Sequence, residues 1–453
     1  MDQIGLTTGP EAGLNTVESR LGRSALGKAT RRLVPLMAVC YFFAYLDRTN
    51  LSVAALTMNA ELGLSATAYG FGAGLLFLGY ILLDAPSNLI MHRVGASRWM
   101  ARIMVVWGLV AAGSAAIQGE VSFYLLRFFL GVAEAGFFPG MILYLTYWFP
   151  AARRGTVTGL FMVAVPLSTA IGAPIGGLLL KLDGVWGLSG WRWLFLAEGF
   201  PSVLLGFLLL WLLPDRPAKA KWLKADERDW IEDTLAAENA ATSERNPLPV
   251  RKALVHPRVI GLGLVYFALA FGLYGLGFWM PTILKSSLAI KDNFTVTLLT
   301  ALPYLVGAIA MILWGRRCDR TGRSVLYTVA PMAIGGVALT VSAFLTSAPW
   351  LGYAGLCACA IGVMAAFPCF WTLLPAFVSG AAVAGAIGVV NSIGNLSGFL
   401  GPYWVGWMTD LFGSSKWGLV TIGAVMIAGA VLSGLLGNGL TAPSPKAAGD
   451  LAR

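Results

Sequence analysis

Apolar residues occur along this chain in twelve long runs that are separated by shorter polar segments. Each run has about 20 residues, which is the length of an α-helix that crosses the hydrocarbon core of a bilayer. The predicted spans cover residues 33–57, 68–91, 99–117, 121–148, 155–181, 192–213, 256–284, 295–315, 324–346, 349–374, 380–411 and 416–440. The pattern predicts an all-α integral membrane protein. Membrane β-strands are excluded, because they would show a short alternation of apolar and polar residues.

The composition supports this fold class. Hydrophobic residues make up 57% of the chain and charged residues only 12%, whereas a soluble domain has about a quarter of its residues charged. The chain also contains 55 glycines, and small residues let membrane helices approach each other closely. We therefore expect a bundle of packed helices that is surrounded by the lipid bilayer.

Basic residues lie mainly in every second connecting segment, which sets the orientation of the chain. Arginine and lysine precede span 1 and follow spans 2, 4 and 8, whereas the alternate loops contain few of them. By the positive-inside rule both termini are cytoplasmic, and the formal net charge of +10 reflects this orientation and not a nucleic-acid partner. We expect a multi-pass protein of the cell (inner) membrane with no cleaved signal peptide.

A long polar segment at residues 214–255 divides the spans into two halves of six. The predicted organisation is a cytoplasmic tail at 1–32, an N-terminal half at 33–213, a cytoplasmic linker at 214–255, a C-terminal half at 256–440 and a second tail at 441–453. The linker has near-balanced charges and a helix-like pattern over residues 219–238. We interpret it as a solvated connection, with a regulatory or partner-binding segment as the alternative.

A repeated turn after spans 2 and 8 indicates that the two halves are related. The segments Asn88–Gly95 and Gly315–Arg323 both contain a small or polar residue, then an acidic or polar residue, an arginine and a glycine at matching spacing. The same turn at the same place in both halves implies parallel repeats about an axis along the membrane normal. The candidate gating residues of these turns are Asp319, Arg320, Gly322, Arg323, Arg93 and Gly95.

Four charged residues lie near mid-depth in spans 1 and 4, namely Asp47, Arg48, Arg127 and Glu134. Charges at that depth are costly, so they indicate a substrate or ion pathway. Arginine presents a planar fork that matches a carboxylate, which suits an organic anion as substrate. Arg127 and Glu134 are seven residues apart and share a helix face, whereas the adjacent Asp47 and Arg48 point about 100° apart. We interpret the set as functional, against the alternative of a static salt-bridge network.

Several motifs give the chain a resemblance to a known family. They are Tyr45-Leu46-Asp47-Arg48-Thr49-Asn50 in span 1, Gly79-Tyr80 and Pro86-Ser87-Asn88 in span 2, Arg127 through Glu134 to Pro139-Gly140 in span 4, and Gly190-Trp191-Arg192-Trp193 before span 6. With its twelve spans and repeated turn, the chain resembles the major facilitator superfamily and, within it, the anion:cation symporter family, which is similar to the sialin group. The resemblance implies two six-helix parallel repeats around a central cavity. It also implies a proton-coupled carrier of sugar acids, tartrate or aromatic acids.

The resemblance implies roles for individual residues as well. Asp47 and Glu134 match proton-coupling sites, and Arg48 and Arg127 match residues that bind the anion or pair with those carboxylates. If substrate captures an arginine, the displaced carboxylate becomes easier to protonate, so substrate and proton favour each other's binding. Positions that match the substrate side are Trp371, Thr372, Asn391 and Asn395. Tyr45, Tyr80 and Tyr274 are further candidates for the lining of the cavity.

The remaining ionisable and metal-binding residue types do not suggest a further site. We interpret Asp84 and Glu198 as capping or interfacial groups, with Arg192 as a structural partner, and expect Lys285 and Arg102 to extend to the membrane surface from span ends. The five cysteines and two histidines have no metal-ligand spacing, and no nucleotide-binding loop or nucleophile constellation is recognisable. We therefore expect no metal site, no cofactor besides the coupling proton, and no enzymatic activity.

Span 5 contains the apolar segment Phe161-Met162-Val163-Ala164-Val165-Pro166-Leu167-Ser168, and so resembles the tartrate and aromatic-acid branch more than the sugar-acid carriers. We predict uptake of a small hydroxylated mono- or dicarboxylate, such as tartrate or a sugar acid, by proton symport with alternating access. The alternatives are an aromatic carboxylate of the phthalate or hydroxyphenylacetate type, sodium coupling through Asp47, Asn50 and Ser52, and anion exchange. A channel is disfavoured by the two-half repeat with charges at mid-membrane. We expect a monomer.

Overall fold

The computed structural model describes residues 10–244, 256–377 and 382–437, and the regular structure in these ranges is helical throughout. Fifteen α-helices follow one another within them. They are α1 (Pro10–Leu62), α2 (Ala66–Val94), α3 (Ala96–Gly113), α4 (Glu120–Glu134), α5 (Phe137–Thr146), α6 (Ala151–Met162), α7 (Ala164–Leu179), α8 (Gly190–Leu212), α9 (Ala225–Glu244), α10 (Pro257–Ser287), α11 (Asn293–Thr321), α12 (Ser324–Ser342), α13 (Pro349–Phe377), α14 (Ala382–Phe412) and α15 (Lys416–Gly437). Linker residues 245–255, the loop residues 378–381 and the tail 441–453 lie outside the described residues.

The helices confirm the predicted all-α membrane fold. Ten segments of the described chain are long and apolar enough to cross a membrane. The helices α1 and α14 are not among the ten, and both carry polar residues near their middle, Asp47 and Arg48 in α1 and Asn391 and Asn395 in α14. With them the helices account for the twelve predicted spans, in which α4 with α5, and α6 with α7, each form one span.

Two predicted spans are broken in the structure, and each break has a local cause. Gly136 adopts a φ of +82°, a left-handed conformation that favours glycine, and it separates α4 from α5. Pro139 lies in the first turn of α5, where its missing N–H is not needed. The Oδ1 atom of Asp84 accepts a hydrogen bond from the N–H of Gly136 at 2.8 Å, which confirms Asp84 as a capping residue. In span 5 the break falls at Val163, shortly before Pro166 in the first turn of α7.

Glycines bring neighbouring helices into backbone contact. A Cβ atom on Gly79 of α2 would lie 2.6 Å from the carbonyl oxygen of Phe128 in α4. A Cβ atom on Gly74 of the same helix would lie 2.7 Å from the carbonyl oxygen of Phe399 in α14. Both distances are too short for a carbon–oxygen contact, so α2 packs on its two neighbours because these positions have no side chain.

The hydrogen bonds that join the helices before the linker to those after it cluster at one end of the bundle. The end that carries α9 is termed the linker end, and the opposite one the far end. At the far end, Asp410 of α14 accepts hydrogen bonds from the N–H groups of Ala66 and Thr67, at 3.2 and 2.7 Å, and so caps the start of α2. The hydroxyl of Tyr69 donates to the carbonyl of Phe278 at 3.0 Å. These contacts hold the two halves together on the side away from the linker.

The two basic residues that were predicted to extend to the membrane surface behave differently. Arg102 is exposed, and its guanidinium lies 4.7 Å from the ring centroid of Trp99. Lys285 is half-buried, and its ammonium donates to the carbonyl of Leu56 at 3.2 Å. The prediction for Lys285 is therefore wrong, because its side chain crosses to the other half and adds to the far-end contact.

The linker helix α9 packs on the N-terminal half. The carboxylate of Glu227 is buried 2.7 Å from the ammonium of Lys28 in α1, and it accepts a hydrogen bond from the hydroxyl of Ser24 at 2.7 Å. The ring of Trp222 stacks on Trp148 with 5.6 Å between the centroids. This part of the linker is therefore docked on the bundle and is not the purely solvated connection that its composition suggested.

Acidification is expected to loosen α9 from α1. Burial alone would raise the pKa of Glu227, but Lys28, the N–H of Lys224 and the hydroxyl of Ser24 outweigh it and lower the pKa from 4.5 to about 2. Because the folded-state pKa is the lower one, Glu227 stabilises the fold above pH 4.5, and this contribution is lost as the pH falls towards 2. We expect Lys28→Met to lower the thermal midpoint at neutral pH, and the difference from wild type to shrink below about pH 3.

The exposed pair between Lys219 and Asp215 provides the matched control. Their side chains are 67% and 23% exposed, and pairs of this kind contribute little to stability. Lys219→Met should therefore leave the thermal midpoint almost unchanged at either pH. A defect of Lys28→Met that is equally large at neutral and at acidic pH would contradict the role of Glu227.

Candidate functional site

Two ion pairs join α1 to α4 near the middle of the N-terminal half. The Nη1 atom of Arg127 lies 2.8 Å from Oδ2 of Asp47 and 3.2 Å from Oδ1. The Nη1 atom of Arg48 lies 3.1 Å from Oε1 of Glu134. The adjacent residues of α1 thus have different partners on α4, as the angle of about 100° between them requires. The structure brings together the four charged residues that the sequence singled out.

The two ion pairs differ in their access to solvent. The side chains of Asp47 and Arg127 are both 0% exposed. Glu134 is 1% exposed, whereas Arg48 is 10% exposed and lies on the wall of a cavity. An anion that enters the cavity therefore meets the guanidinium of Arg48, while that of Arg127 is enclosed by protein.

Aromatic rings surround the guanidinium of Arg48. Its Cζ atom lies 5.3 Å from the ring centroid of Tyr45 and 5.6 Å from the ring centroids of Phe77 and Tyr80. Ring faces attract a cation, and they hold the guanidinium without using its N–H groups. Its Nη1 atom donates to the carbonyl of Ala44 at 2.7 Å, whereas its Nε atom has no hydrogen-bond partner among the described residues. Arg48 is thus fixed in place and still has an unused donor.

The cavity next to Arg48 lies between the two halves, and about 20 Å³ of it is open to water-sized molecules in this conformation. This is room for little more than one water molecule, so the cavity is small in this conformation. Hydroxyl groups and aromatic rings dominate its lining, which includes Tyr45, Arg48, Thr49, Ser52, Thr169, Tyr274 and Tyr304. Such a lining offers an anion one guanidinium and several hydrogen-bonding groups.

The predicted substrate residues of the N-terminal half and span 7 lie in or beside this cavity. Tyr45, Arg48 and Tyr274 belong to its lining. Tyr80 contacts the guanidinium of Arg48, and Arg127 holds Asp47 in the adjacent buried pair. The structure therefore separates one arginine that faces the cavity from one that is engaged with a carboxylate in the interior.

The predicted residues of spans 10 and 11 are not among the residues that line this cavity. Trp371 packs in a cluster of aromatic rings. The hydroxyl of Thr372 donates to the hydroxyl oxygen of Ser324 at 2.7 Å and so links α13 to α12. Asn391 and Asn395 are half-buried on α14. Their contact with substrate stays a prediction.

Thr169 of α7 lines the cavity, although the sequence interpretation did not include it. Its hydroxyl lies 3.0 Å from that of Thr49 in α1, and the two share a hydrogen bond. The apolar segment used to classify span 5 ends at Ser168, one residue earlier. The signal was therefore present in the sequence, and span 5 does contribute a hydroxyl group to the cavity.

The interpretation of Glu198 as a capping or interfacial group is wrong. Its side chain is 0% exposed, and its Oε2 atom accepts a hydrogen bond from the side-chain amide of Asn50 at 3.0 Å. Arg192, its expected partner, instead lies 3.6 Å from Glu61 and donates to the backbone carbonyl of Ala115. Glu198 is thus a third buried carboxyl group of the N-terminal half.

The residues considered for sodium coupling are engaged elsewhere. Both carboxylate oxygens of Asp47 accept hydrogen bonds from Arg127. The amide of Asn50 donates to Glu198, and the hydroxyl of Ser52 donates to the carbonyl of Thr49 at 2.7 Å. In this conformation each of the three side chains therefore has a hydrogen-bond partner within the N-terminal half.

The repeated turns share a hydrogen-bonded glycine of positive φ in both halves, although the ψ angles of the two glycines differ, at 150° for Gly95 and 8° for Gly322. Gly95 and Gly322 have φ angles of +99° and +66°, and each follows the last residues of its helix. Their N–H groups donate to the carbonyls of Met91 and Cys318, each at 2.9 Å, which closes the ends of α2 and α11. The charged residues of the turns are exposed, namely Arg93, Asp319, Arg320 and Arg323.

Comparison with known proteins gives matches over almost the whole chain. The sequence profile of the Major Facilitator Superfamily matches residues 37–402. A protein of Agrobacterium vitis with the name "Putative tartrate transporter" is 45% identical over 435 residues, which are 96% of this chain and 94% of that protein. A protein of Acinetobacter baumannii with the name "Quinolone resistance transporter" is 38% identical over 414 residues, which are 91% of this chain and 94% of that protein.

Solved structures support the same fold. A bacterial homologue of the human lysosomal transporter Spinster, in an inward-facing and occupied conformation, matches with a TM-score of 0.74. The match covers 91% of this chain and 98% of that chain at 18% sequence identity. At this identity the likeness concerns the arrangement of the helices and not the substrate.

Proposed function

The chain belongs to the Major Facilitator Superfamily, and from this membership we propose that it is a secondary active transporter that takes up a small organic anion by proton symport. The observation that carries the proposal is the Arg48–Glu134 ion pair at the wall of the cavity. Relatives named for tartrate favour a small hydroxylated mono- or dicarboxylate as substrate. The hydroxyl groups of Thr49 and Thr169 beside Arg48 suit the hydroxyl groups of such an anion.

Substrate binding is the first step of the proposed mechanism. A carboxylate that enters the cavity competes with Glu134 for the guanidinium of Arg48. Arginine keeps its charge at any relevant pH, so the competition is between two anions for one fixed cation. The ring contacts of Arg48 persist during the exchange, because they do not use its N–H groups.

Proton binding follows from the balance of charge. Arg48 and Arg127 are matched by Glu134 and Asp47 before substrate arrives. A bound anion adds a negative charge that has no counter-ion, and a proton on the displaced Glu134 restores the balance. Substrate and proton therefore bind better together than separately, which is the thermodynamic basis of symport. Asp47 is the second proposed proton-coupling group, because it stands in the same relation to Arg127.

The contacts between the halves support alternating access. They lie at the far end, where Asp410 caps α2 and Tyr69 reaches α10. By the positive-inside rule we expect the linker end to face the cytoplasm, so these contacts would close the outer side. We expect them to break when the halves rock to the opposite state, since the site lies between them.

An aromatic carboxylate is the second candidate substrate. The cavity is lined by the rings of Tyr45, Tyr274, Phe278 and Tyr304, which give an aromatic substrate faces and edges to pack against. A relative named for quinolone resistance agrees with an aromatic substrate, because quinolones contain an aromatic ring system. Arg48 would bind the carboxylate of either substrate class.

Uptake into proteoliposomes tests the proposal. Labelled tartrate, galactonate, glucarate and phthalate are presented to vesicles with an imposed inward proton gradient. We expect one of these anions to accumulate above its external concentration, and accumulation to vanish when the gradient is collapsed. Accumulation that ignores the proton gradient and follows sodium or an internal counter-anion would contradict proton symport.

A further inference from the structure

Glu198 on α8 occupies an unusual position for an acidic residue. Its side chain is 0% exposed and receives a single side-chain hydrogen bond, from Asn50 to Oε2 at 3.0 Å. Its Oε1 atom has no hydrogen-bond partner in the part of the chain that the structure describes. The hydroxyl of Ser202, one turn along α8, donates to the backbone carbonyl of Glu198 and not to its carboxyl group. Burial of an ionised carboxylate with so few partners is strongly unfavourable.

The charges around Glu198 do not supply a counter-ion of its own. The charged groups that act on it are Asp47 of α1, and Arg127 and Glu134 of α4. Arg102, on the adjacent helix α3, is exposed beside Trp99. Arg127 is already paired with Asp47, and Arg48 is already paired with Glu134. An ionised Glu198 would therefore leave one uncompensated negative charge in the interior.

Arg127 has unused capacity to serve a second carboxylate. Its Nη1 atom donates both hydrogen bonds to Asp47. Its Nε and Nη2 atoms are buried and have no hydrogen-bond partner among the described residues. The guanidinium therefore has two nitrogen atoms whose N–H groups can donate to a second carboxyl group.

We propose that Glu198 is a further proton-binding group, which holds a proton in this conformation and shares Arg127 with Asp47. The transfer is balanced: the O–H bond on Glu198 breaks, an O–H bond on Asp47 forms, and Arg127 pairs with the new carboxylate. The total charge of the set stays the same. The two carboxyl groups thus form a relay in the interior of the N-terminal half, behind the cavity that Arg48 faces.

The relay would extend the coupling mechanism, and in this respect it rests on the proposed proton symport. A proton that reaches Asp47 can move to Glu198 and leave Asp47 ionised beside Arg127. Glu134 beside Arg48 and the Asp47–Glu198 relay beside Arg127 would then bind protons separately. A transport cycle that uses both would couple more than one proton to each substrate anion.

Infrared difference spectroscopy tests the proton on Glu198 without reference to transport. The detergent-solubilised protein at neutral pH should show the C=O stretching band of a protonated carboxyl group, which shifts in heavy water. We expect Glu198→Gln to remove the band and Ser202→Ala, a buried substitution one turn away, to retain it. An unchanged carbonyl spectrum in Glu198→Gln would overturn the proposal.

Asp47→Asn tests whether Arg127 is shared. With Asp47 neutralised, Arg127 loses its counter-ion and should take Glu198 as its partner, so Glu198 ionises and its band disappears. A band that persists in Asp47→Asn would overturn the sharing. If Glu198→Gln does not fold, Glu198→Asp should shift the band, because the shorter side chain moves the carboxyl group to a different environment, and an unshifted band would overturn the proposal.

Proteoliposomes provide the functional test. For each coupled proton, one pH unit of gradient supports up to about tenfold accumulation. If Glu198 carries one coupled proton, Glu198→Gln should lower the maximal accumulation about tenfold per pH unit and leave exchange intact. Equal accumulation in the variant and in wild type would overturn the role of Glu198 in coupling. Wild-type uptake that is independent of the proton gradient would contradict the proposed symport, while the infrared band would still report the proton on Glu198.

Discussion

Replacing Glu134 with glutamine is expected to lower proton-driven accumulation of the substrate by about tenfold per pH unit of gradient and to leave exchange of substrate across the membrane intact. Glutamine has the size of a protonated glutamate but cannot bind or release a proton. Glu134 is 1% exposed and lies 3.1 Å from Arg48, so the substitution removes a titratable group without opening the site. The variant should therefore resemble the proton-loaded carrier permanently.

The size of the effect follows from the energy that a proton gradient supplies. One coupled proton supports up to about tenfold accumulation per pH unit of gradient. In Glu134→Gln the proton bound at Glu134 is lost from the cycle, so the maximal accumulation of labelled anion should fall about tenfold for each pH unit of imposed gradient. Exchange of external label for internal unlabelled anion should continue, because Arg48 remains free to bind the carboxylate.

Glu120→Gln is the matched control for this experiment. Glu120 begins the same helix α4, but it is exposed at the far end, where its carboxylate accepts a hydrogen bond from the hydroxyl of Tyr124. This variant should accumulate substrate as wild type does. Accumulation in Glu134→Gln that is as high as in wild type would contradict the coupling role of Glu134. Loss of both accumulation and exchange would contradict the proposed division between the two processes.

The sequence indicated which charged residues matter, but not how they pair. The cost of a charge in hydrocarbon makes residues such as Asp47 and Arg127 conspicuous in apolar spans. Their partners depend on the rotation and relative depth of α1 and α4, which small residues and the break at Gly136 determine. These are properties of packing between helices, so the two ion pairs and the cavity beside Arg48 could only be read from the structure.

Glu198 and Thr169 show a different limit of sequence interpretation. Glu198 follows an aromatic cluster near the start of span 6, and position along the chain suggested an interfacial residue. Its actual environment depends on Asn50, which is 148 residues earlier in the chain. Thr169 lies next to an apolar segment and acquires its role through contact with Thr49 of another helix. Contacts between distant segments give these residues their environment, and local patterns do not contain that information.

The breaks within spans 4 and 5 have signals in the sequence, although both spans are predicted as continuous helices. Gly136 and Pro139 stand close together in span 4, and both residue types interrupt helices. A hydropathy average over about 20 residues hides such local signals, so it detects the span but not the break within it. The break matters to the site, because it lets α4 end immediately after Glu134.

Replacing Arg127 with leucine is expected to destabilise the protein strongly. The substitution leaves Asp47, which is 0% exposed, without its partner in the interior. Removal of one member of a buried ion pair costs about 3–5 kcal/mol, because the remaining charge is neither hydrated nor compensated. We expect a clear drop in the thermal midpoint of the detergent-solubilised protein. Arg102→Leu, at an exposed position of α3, should have little effect.

The double variant Asp47→Asn/Arg127→Leu separates the charge from the packing. It removes both members of the pair, so no uncompensated charge remains, and it should recover most of the stability that Arg127→Leu loses. It should not recover proton-coupled accumulation, because the carboxyl of Asp47 is absent. A double variant as unstable as Arg127→Leu would mean that α1 and α4 need the pair to pack. The pair would then be a structural salt bridge, and coupling would have to rest on Glu134 and Arg48.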